Sequence, residues 1–138
     1  MKSAQVHITA YQGDLELNEY TFDQPAVCVV GRADDCEIKL PPGIAHADVS
    51  RHHCVLQINP PDVQIRDLGS LNGTFVNGKK IGQRSNRQPP DDANVVALAP
   101  HSLKDGDQFR VGSTCFQVEV AAAPAHVWPP AWMPAIFG

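Results

Sequence analysis

The strongest constraint on the fold is the spacing of prolines and glycines, which interrupt the chain every few residues. There are 12 prolines and 10 glycines among 138 residues, so long helices have little room. Between these interruptions lie short runs rich in Val, Ile, Phe and Thr. In the run His53–Ile58, for example, Cys54, Leu56 and Ile58 point to the same side of an extended strand. The pattern predicts an all-β sandwich or barrel.

Nine runs are predicted as strands, and turn signals separate them. These runs are Gln5–Tyr11, Glu16–Phe22, Ala26–Gly31, Glu37–Leu40, His53–Ile58, Val63–Asp67, Thr74–Val76, Gln108–Val111 and Cys115–Val120. The dipeptide Asn77-Gly78 is the strongest hairpin signal, because a type I′ turn needs positive φ at both central residues. The stretch Gly82–His101 predicts a long surface loop, within which residues 90–96 are compatible with one short helical turn.

The length predicts a single domain, since 138 residues is close to the roughly 150 typical of one. We expect this domain to span residues 1–120. Residues 121–138 contain both tryptophans and several prolines without a regular period, which predicts a tail or linker. Such a segment either folds back onto the domain or docks onto another chain.

The composition argues against several classes of partner and location. The 15 acidic and 11 basic residues give a net charge of −4, whereas binding nucleic acid through its phosphates needs a basic surface. No apolar run approaches the roughly 20 residues of a membrane-spanning helix, and the N-terminus lacks the apolar stretch of a secretory signal. The four cysteines form no C-x-x-C pair, which predicts reduced thiols and a cytoplasmic protein.

Five residues with cationic, hydroxyl or amide side chains stand at the predicted strand–loop junctions. They are Arg32, Ser50, Arg51, Ser70 and Asn72, and none is a carboxylate. An arginine offers a planar fork of donors that suits phosphate oxygens, and serine and asparagine add neutral donors. If the loops meet at one end of the fold, this set favours an anion such as a phosphate ester.

Four motifs occur in order along the chain: Gly31-Arg32, Val49–His53, Asp67–Gly78 and Leu103–Gly112. Together they resemble the forkhead-associated (FHA) domain, whose pattern runs G-R, S-x-x-H, S-x-N-G-T-x-V-N-G and a closing L-x-D-G-D hairpin. The match covers about Ala4 to Val120. The resemblance implies a β-sandwich of about eleven strands with binding loops at one end. The long loop after the N-G hairpin is similar to bacterial FHA proteins associated with Ser/Thr kinases.

The resemblance also implies a ligand, namely phosphothreonine in a partner's peptide. Arg32 and Ser50 would contact the phosphate, and Arg51 would support the phosphate or the peptide. Asn72 would hydrogen-bond the peptide backbone. Ser70 and Leu71 would help line the pocket for the threonine methyl group.

Other residues of the pattern are expected to support the site rather than touch the ligand. They are Gly31, His53, Gly73, Thr74 and Asn77, with His53 bracing the loops from beneath and Asn77 serving the hairpin turn. The insert Pro41–Asp48 departs from the family pattern by its length, and we expect it to shift one wall of the site.

Catalytic interpretations fit the sequence poorly. Asp67-Leu68-Gly69 is similar to the D-F-G of protein kinases, but the glycine-rich loop, the V-A-I-K lysine and the H-R-D loop are missing. The chain also lacks a G-x-S-x-G nucleophile motif that would make a triad of Asp48, Ser50 and a neighbouring histidine credible. We predict no catalytic residue and no cofactor.

A metal site is not expected from the spacing of possible ligands. The candidates are Cys36, His46, His52, His53 and Cys54, but structural zinc sites pair cysteines at C-x₂₋₄-C spacing, which is absent.

The predicted function is therefore a phosphothreonine-dependent protein-binding module, whose partner is a Ser/Thr kinase or its substrate. Two alternatives stay open. One is a phosphate-independent interaction domain that uses another face of the sandwich or the tail. The other is the non-catalytic regulatory domain of a larger Ser/Thr kinase.

Overall fold

The computed structural model describes residues 4–40, 48–83 and 99–121, which form eleven β-strands. The strands are β1 (Gln5–Gln12), β2 (Leu15–Phe22), β3 (Ala26–Gly31), β4 (Ile38–Lys39), β5 (Cys54–Asn59), β6 (Asp62–Asp67), β7 (Thr74–Val76), β8 (Lys79–Gly82), β9 (His101–Leu103), β10 (Gln108–Val111) and β11 (Thr114–Ala121). None of the described segments contains a helix that could cross a membrane.

Two sheets stack as a β-sandwich. The six-stranded sheet has the order β2-β1-β11-β10-β7-β8, and the five-stranded sheet has the order β4-β3-β5-β6-β9. Strands β3 and β4 pair in parallel, while the other pairs among the described strands run antiparallel. The predicted fold class is confirmed, as is the number of about eleven strands that the family resemblance implies, while the nine runs predicted from the residues lack β8 and β9.

The core lies between the sheets and is built from alternate residues of each strand, as a period of two requires. From the six-stranded sheet, Phe109 and Phe116 are opposite each other on β10 and β11, and their rings stack with centroids 4.6 Å apart. From the five-stranded sheet, Leu56 and Ile65 are fully buried. This packed interior is the rigid base on which the loops sit.

Most strand predictions are confirmed, and β3, β7 and β10 have the predicted bounds. The loop predicted for Gly82–His101 is wrong at both ends, because Gly82 closes β8 and His101 opens β9. Strand β9 pairs with β6, with Ile65 opposite His101. A short run such as His101–Leu103 becomes a strand through that distant partner, which its local sequence does not reveal.

Three sequence predictions fall on residues outside the described part. They concern most of the insert Pro41–Asp48, the inner part of the Gly82–His101 loop with its helical turn, and the tail. The residues concerned are 41–47, 84–98 and 122–138.

One end of the sandwich gathers three connections, and we call it the loop end. The strand register brings Val30, Cys54 and Asp67 into one row across β3, β5 and β6. The chain therefore leaves β3, enters β5 and leaves β6 at the same end. Residues 31–37, 48–53 and 68–73 meet there. The opposite end carries the β7–β8 and β9–β10 turns, and we call it the hairpin end.

Candidate functional site at the loop end

Gly31 lets two backbones approach closely at the start of the site. A Cβ atom on this residue would lie 2.1 Å from the carbonyl oxygen of Arg51, which is well inside contact distance. The approach allows the backbone N–H of Arg32 to donate to the carbonyl of Ser50 at 3.2 Å, and that of Ala33 to donate to the carbonyl of Arg51 at 3.0 Å. The segment carrying Arg32 is thus held directly beside the segment carrying Ser50.

The guanidinium of Arg32 is oriented by its own side-chain hydrogen bond. Its Nε–H donates to the carbonyl of Val49, the residue before Ser50. The side chain is half-buried, and its terminal nitrogens make no hydrogen bond with the described residues. The fork of donors is therefore aimed and available for an anion.

His53 lies beneath these loops and ties them together. Its Nδ1 accepts from the backbone N–H of Ser50 at 3.0 Å, so its Nε2 carries the proton and donates to the carbonyl of Gly73 at 2.8 Å. The ring is fully buried, and this burial lowers its pKa, which keeps it neutral. Both nitrogens are occupied, so the structure gives His53 the bracing position predicted from the sequence.

The hydroxyl of Ser50 faces the site with its proton available. Its Oγ accepts from the backbone N–H of Leu71 at 3.0 Å and donates to no described residue. This contact also joins the loop before β5 to the β6–β7 loop. A ligand oxygen near Ser50 could accept a hydrogen bond from the hydroxyl, while the Arg32 guanidinium donates from the neighbouring segment.

The β6–β7 loop is built around the buried carboxylate of Asp67. Its Oδ2 accepts from the backbone N–H groups of Gly69 at 2.8 Å and Ser70 at 2.9 Å. Its Oδ1 accepts from the hydroxyls of Ser70 at 2.5 Å and Thr74 at 2.6 Å. Sequence reasoning considered Asp67 only as a strand end and in the D-F-G-like tripeptide, although a carboxylate two residues before a glycine signals such an N–H-accepting turn.

The structure differs from the sequence-based expectation at Ser70. This side chain is fully buried, and its hydroxyl donates to Asp67 and accepts from the backbone N–H of Gly73 at 3.0 Å. Ser70 therefore shapes the loop from inside, because a buried hydroxyl with both functions used is not presented to a ligand. Thr74 and Gly73 are likewise buried in the base of the loop.

Three exposed residues form the outer rim of the site. The Asn72 amide donates to the backbone carbonyl of Asp48 at 3.0 Å, while its carbonyl oxygen is unbonded among the described residues. Leu71 exposes 56% of its surface, which is a large fraction for an apolar side chain. Arg51 is also exposed and adds a second positive charge. Leu71 and Asn72 lie on the β6–β7 loop, and Arg51 follows Ser50 directly in the sequence.

Asn77, the last of the predicted support residues, lies at the other end of β7. It has φ of 49°, and its side chain bonds to Asp107 and to the backbone N–H of Gln108. These contacts lie at the hairpin end. The prediction that Asn77 supports the loop-end site is therefore wrong about its place in the fold. The predicted hairpin chemistry itself is present.

Fold and site together define a β-sandwich binding module that presents cationic and hydroxyl donors on braced loops. Residues 28–98, about half of the chain, match the FHA domain family. A solved structure from work on phosphothreonine-dependent FHA domain interactions superposes with a TM-score of 0.63. It has 23% identity, and the match covers 86% of this chain and 99% of that one. The chain belongs to the FHA domain family.

Two sequence relatives are longer proteins from bacteria. The chain is 44% identical over 57 residues to the ABC transporter ATP-binding/permease protein Rv1747 of Mycobacterium tuberculosis, covering 41% of this chain and 6% of the transporter. It is 30% identical over 107 residues to the oxoglutarate dehydrogenase inhibitor of Corynebacterium glutamicum, covering 78% of this chain and 58% of the inhibitor. The chain thus spans less than two thirds of either relative.

Proposed function

We propose that this FHA domain binds phosphothreonine in a peptide segment of a partner protein and thereby recruits that partner. The main support for the proposal is that Arg32 and Ser50 present donor groups from neighbouring segments. The Arg32 guanidinium is fixed on the carbonyl of Val49, and the next residue, Ser50, offers a hydroxyl proton. A phosphate ester supplies two negative charges and three acceptor oxygens to such a pair.

The rim residues suit an extended peptide around that phosphate. The side-chain carbonyl oxygen of Asn72, to which no described residue donates, can accept from a peptide N–H, and its amide is already oriented by Asp48. The exposed Leu71 side chain offers an apolar contact that a threonine methyl group satisfies and a serine does not. Arg51 adds charge beside the phosphate.

The mechanism is recruitment after phosphorylation. A Ser/Thr kinase modifies the partner, and the site then recognises the modified segment. We place this module in the cytoplasm, in line with the free thiols of its four cysteines. The segment predicted as 121–138 is proposed to be a tail or linker, of which Ala121 still belongs to β11.

The test is a calorimetric titration with one peptide sequence in three forms, carrying phosphothreonine, phosphoserine or unmodified threonine. A screen of a phosphothreonine peptide library selects the sequence. We expect binding of the phosphothreonine form, weaker binding of the phosphoserine form and no binding of the unmodified form. Arg32→Ala should weaken binding at least about tenfold, because a charge-assisted hydrogen bond contributes roughly 1.5–3 kcal/mol.

Lys79→Ala is the matched control, since it removes the same charge from the hairpin end. Thermal unfolding establishes that each variant is folded. Unchanged affinity in folded Arg32→Ala would refute the assignment of the phosphate site. If the folded parent binds no member of the library, the phosphate-independent interaction domain replaces this proposal.

A further inference from the structure

A second cluster of chemically active side chains lies next to the proposed phosphate site. Asp35 and Cys36 stand on the connection between β3 and β4, and His52 stands two residues before β5. A carboxylate oxygen, the Cys36 sulfur and a ring nitrogen of His52 all lie within 4.8 Å of one another. Phosphate recognition by Arg32 and Ser50 makes no use of these three groups.

The donor set is characteristic of zinc. A thiolate, an imidazole and a carboxylate are the ligands that zinc takes in proteins, at about 2.0–2.3 Å from the metal. In a tetrahedral site these lengths separate neighbouring ligand atoms by roughly 3.3–3.8 Å. The Nε2 of His52 already lies 2.9 Å from Oδ1 of Asp35, so small side-chain rotations would bring the set to this spacing.

The two loops that carry the cluster are fastened together by backbone hydrogen bonds. The backbone N–H of Ala33 donates to the carbonyl of Arg51 at 3.0 Å, and that of Cys36 donates to the carbonyl of Ala33 at 3.1 Å. His53 N–H donates to the carbonyl of Val30 at 2.8 Å on the other side of His52. The positions of the ligands are therefore set by the fold and do not depend on a metal to assemble them.

We propose that Asp35, Cys36 and His52 form a zinc-binding site with a fourth coordination position open to water. Asp35 and His52 are exposed, which leaves a path for the ion, while Cys36 supplies the buried ligand. In the metal-free protein the Cys36 thiol donates to the carbonyl of Arg51 at 3.2 Å. On coordination the thiol proton passes to solvent, and that carbonyl keeps its hydrogen bond from Ala33.

The simpler interpretation is a surface pair between His52 and Asp35, with Cys36 as a small buried residue. The chain contains an internal comparison for this case. His7 and Glu19 form an exposed pair at 3.7 Å on the six-stranded sheet, and this pair belongs to no group of possible metal ligands within the described residues. A genuine site should bind metal through Cys36, and the His7–Glu19 pair should contribute nothing.

The experiment is a titration of the reduced protein with Co²⁺ alone, followed by displacement with Zn²⁺. We expect the near-ultraviolet band of thiolate-to-cobalt charge transfer, the intense visible bands of tetrahedral cobalt, and loss of both when zinc is added. Cys36→Ser should abolish the charge-transfer band. His52→Gln and Asp35→Asn should each weaken zinc binding at least about tenfold, since loss of even indirect support costs metal sites 10–100-fold.

Cys115→Ser and His7→Gln are the matched controls, and both should bind cobalt as the parent does. If Cys36→Ser does not fold, His52→Gln and Asp35→Asn decide the question, because both replace exposed side chains. Absence of the charge-transfer band in the folded parent would overturn the proposal. So would its persistence in Cys36→Ser, or unchanged affinity in His52→Gln. The titration contains no peptide, so its outcome is independent of phosphothreonine binding.

Discussion

The short strand β7 has the same dipeptide, Asn-Gly, near each of its ends, and the two copies serve different purposes. At the hairpin end, Asn77 and Gly78 have φ of 49° and 83°, as a type I′ turn requires. At the loop end, Gly73 has φ of 94°, but Asn72 does not adopt positive φ. Asn77 bonds across to Asp107 and Gln108, whereas Asn72 holds the backbone of Asp48 and keeps its carbonyl oxygen exposed.

The difference shows how far a local signal determines a structure. The positive φ of the hairpin turn comes from its own two residues, and its bonds to Asp107 and Gln108 are exposed additions. The loop around Asn72 needs the buried hydrogen bonds of Asp67, at its own base, and of His53, which belongs to the segment before β5. The site therefore depends on buried hydrogen bonds, whereas the side-chain hydrogen bonds of Asn77 at the hairpin end are exposed.

The largest expected effect is the loss of the buried carboxylate at the loop end. Asp67→Ala leaves two backbone N–H groups and two hydroxyls without their acceptor. Since an unsatisfied buried donor costs about 1–3 kcal/mol, we expect a loss of about 4 kcal/mol in the free energy of unfolding. Urea denaturation measures it.

Asp107→Ala is the matched variant at the hairpin end. Asp107 also accepts two hydrogen bonds, from Asn77 and from the backbone N–H of Lys104, but these donors are exposed and water can replace it. We expect a loss of about 1 kcal/mol. Equal losses in the two variants would contradict the contrast between the ends.

A second comparison uses one glycine from each end. In Gly31→Ala the new methyl group meets the backbone of Arg51, so two segments must separate, at a cost of about 3 kcal/mol. In Gly78→Ala the methyl group meets nothing within 4 Å, and the cost is the positive φ alone, about 1 kcal/mol. Thermal unfolding ranks the two, and a larger loss in Gly78→Ala would show that the close approach at Gly31 is unimportant.

The pH dependence of stability should also have its origin at the loop end. Burial lowers the pKa of His53 below its ordinary value of 6.5, so the unfolded chain binds a proton more readily than the folded one. Stability is unaffected by this group above pH 6.5 and falls as the pH decreases below it. Urea unfolding from pH 7 to pH 5 measures the slope, which His53→Gln should reduce and the exposed-pair variant His7→Gln should retain. An unchanged slope in His53→Gln would exclude this origin.

The smallest expected effects separate the two asparagines by function. Asn72→Ala should weaken phosphothreonine peptide binding about two- to tenfold, as the loss of a neutral hydrogen bond does, with little change in stability. Asn77→Gly keeps the positive φ and loses the side-chain bonds, so stability should fall by about 1 kcal/mol while affinity is retained. Calorimetry and urea unfolding of both variants give the four values. If Asn77→Gly weakened peptide binding and Asn72→Ala lowered only stability, the roles assigned to the two ends would be wrong.

Much of the fold was predictable because strands and turns here carry strong local signals. Alternation identified most strands, and Asn77-Gly78 identified its turn. Strand β9 was missed because His101–Leu103 depends on pairing with β6. Arg32, Ser50, Arg51, Leu71 and Asn72, predicted as a site from their motifs, do converge at the loop end.

Other features of the site could not be predicted because they depend on burial or on contacts between separate loops. Ser70 was expected to face the ligand, but the hydrogen bonds of Asp67 and Gly73 hold it inside. The spacing rule for zinc ligands did not single out the proposed metal site, because Asp35 and Cys36 lie on one loop and His52 lies on another.

The sequence by itself determined the all-β class and the turns, and it singled out the residues of the proposed phosphate site, because these follow from backbone preferences and side-chain chemistry within short segments. The tertiary structure alone decided which hydroxyl is free and which is buried, which nitrogen of His53 carries the proton, and which side chains of separate loops meet. Those properties depend on desolvation and on distances between atoms, and both are set only when the two sheets pack and bring the loops together.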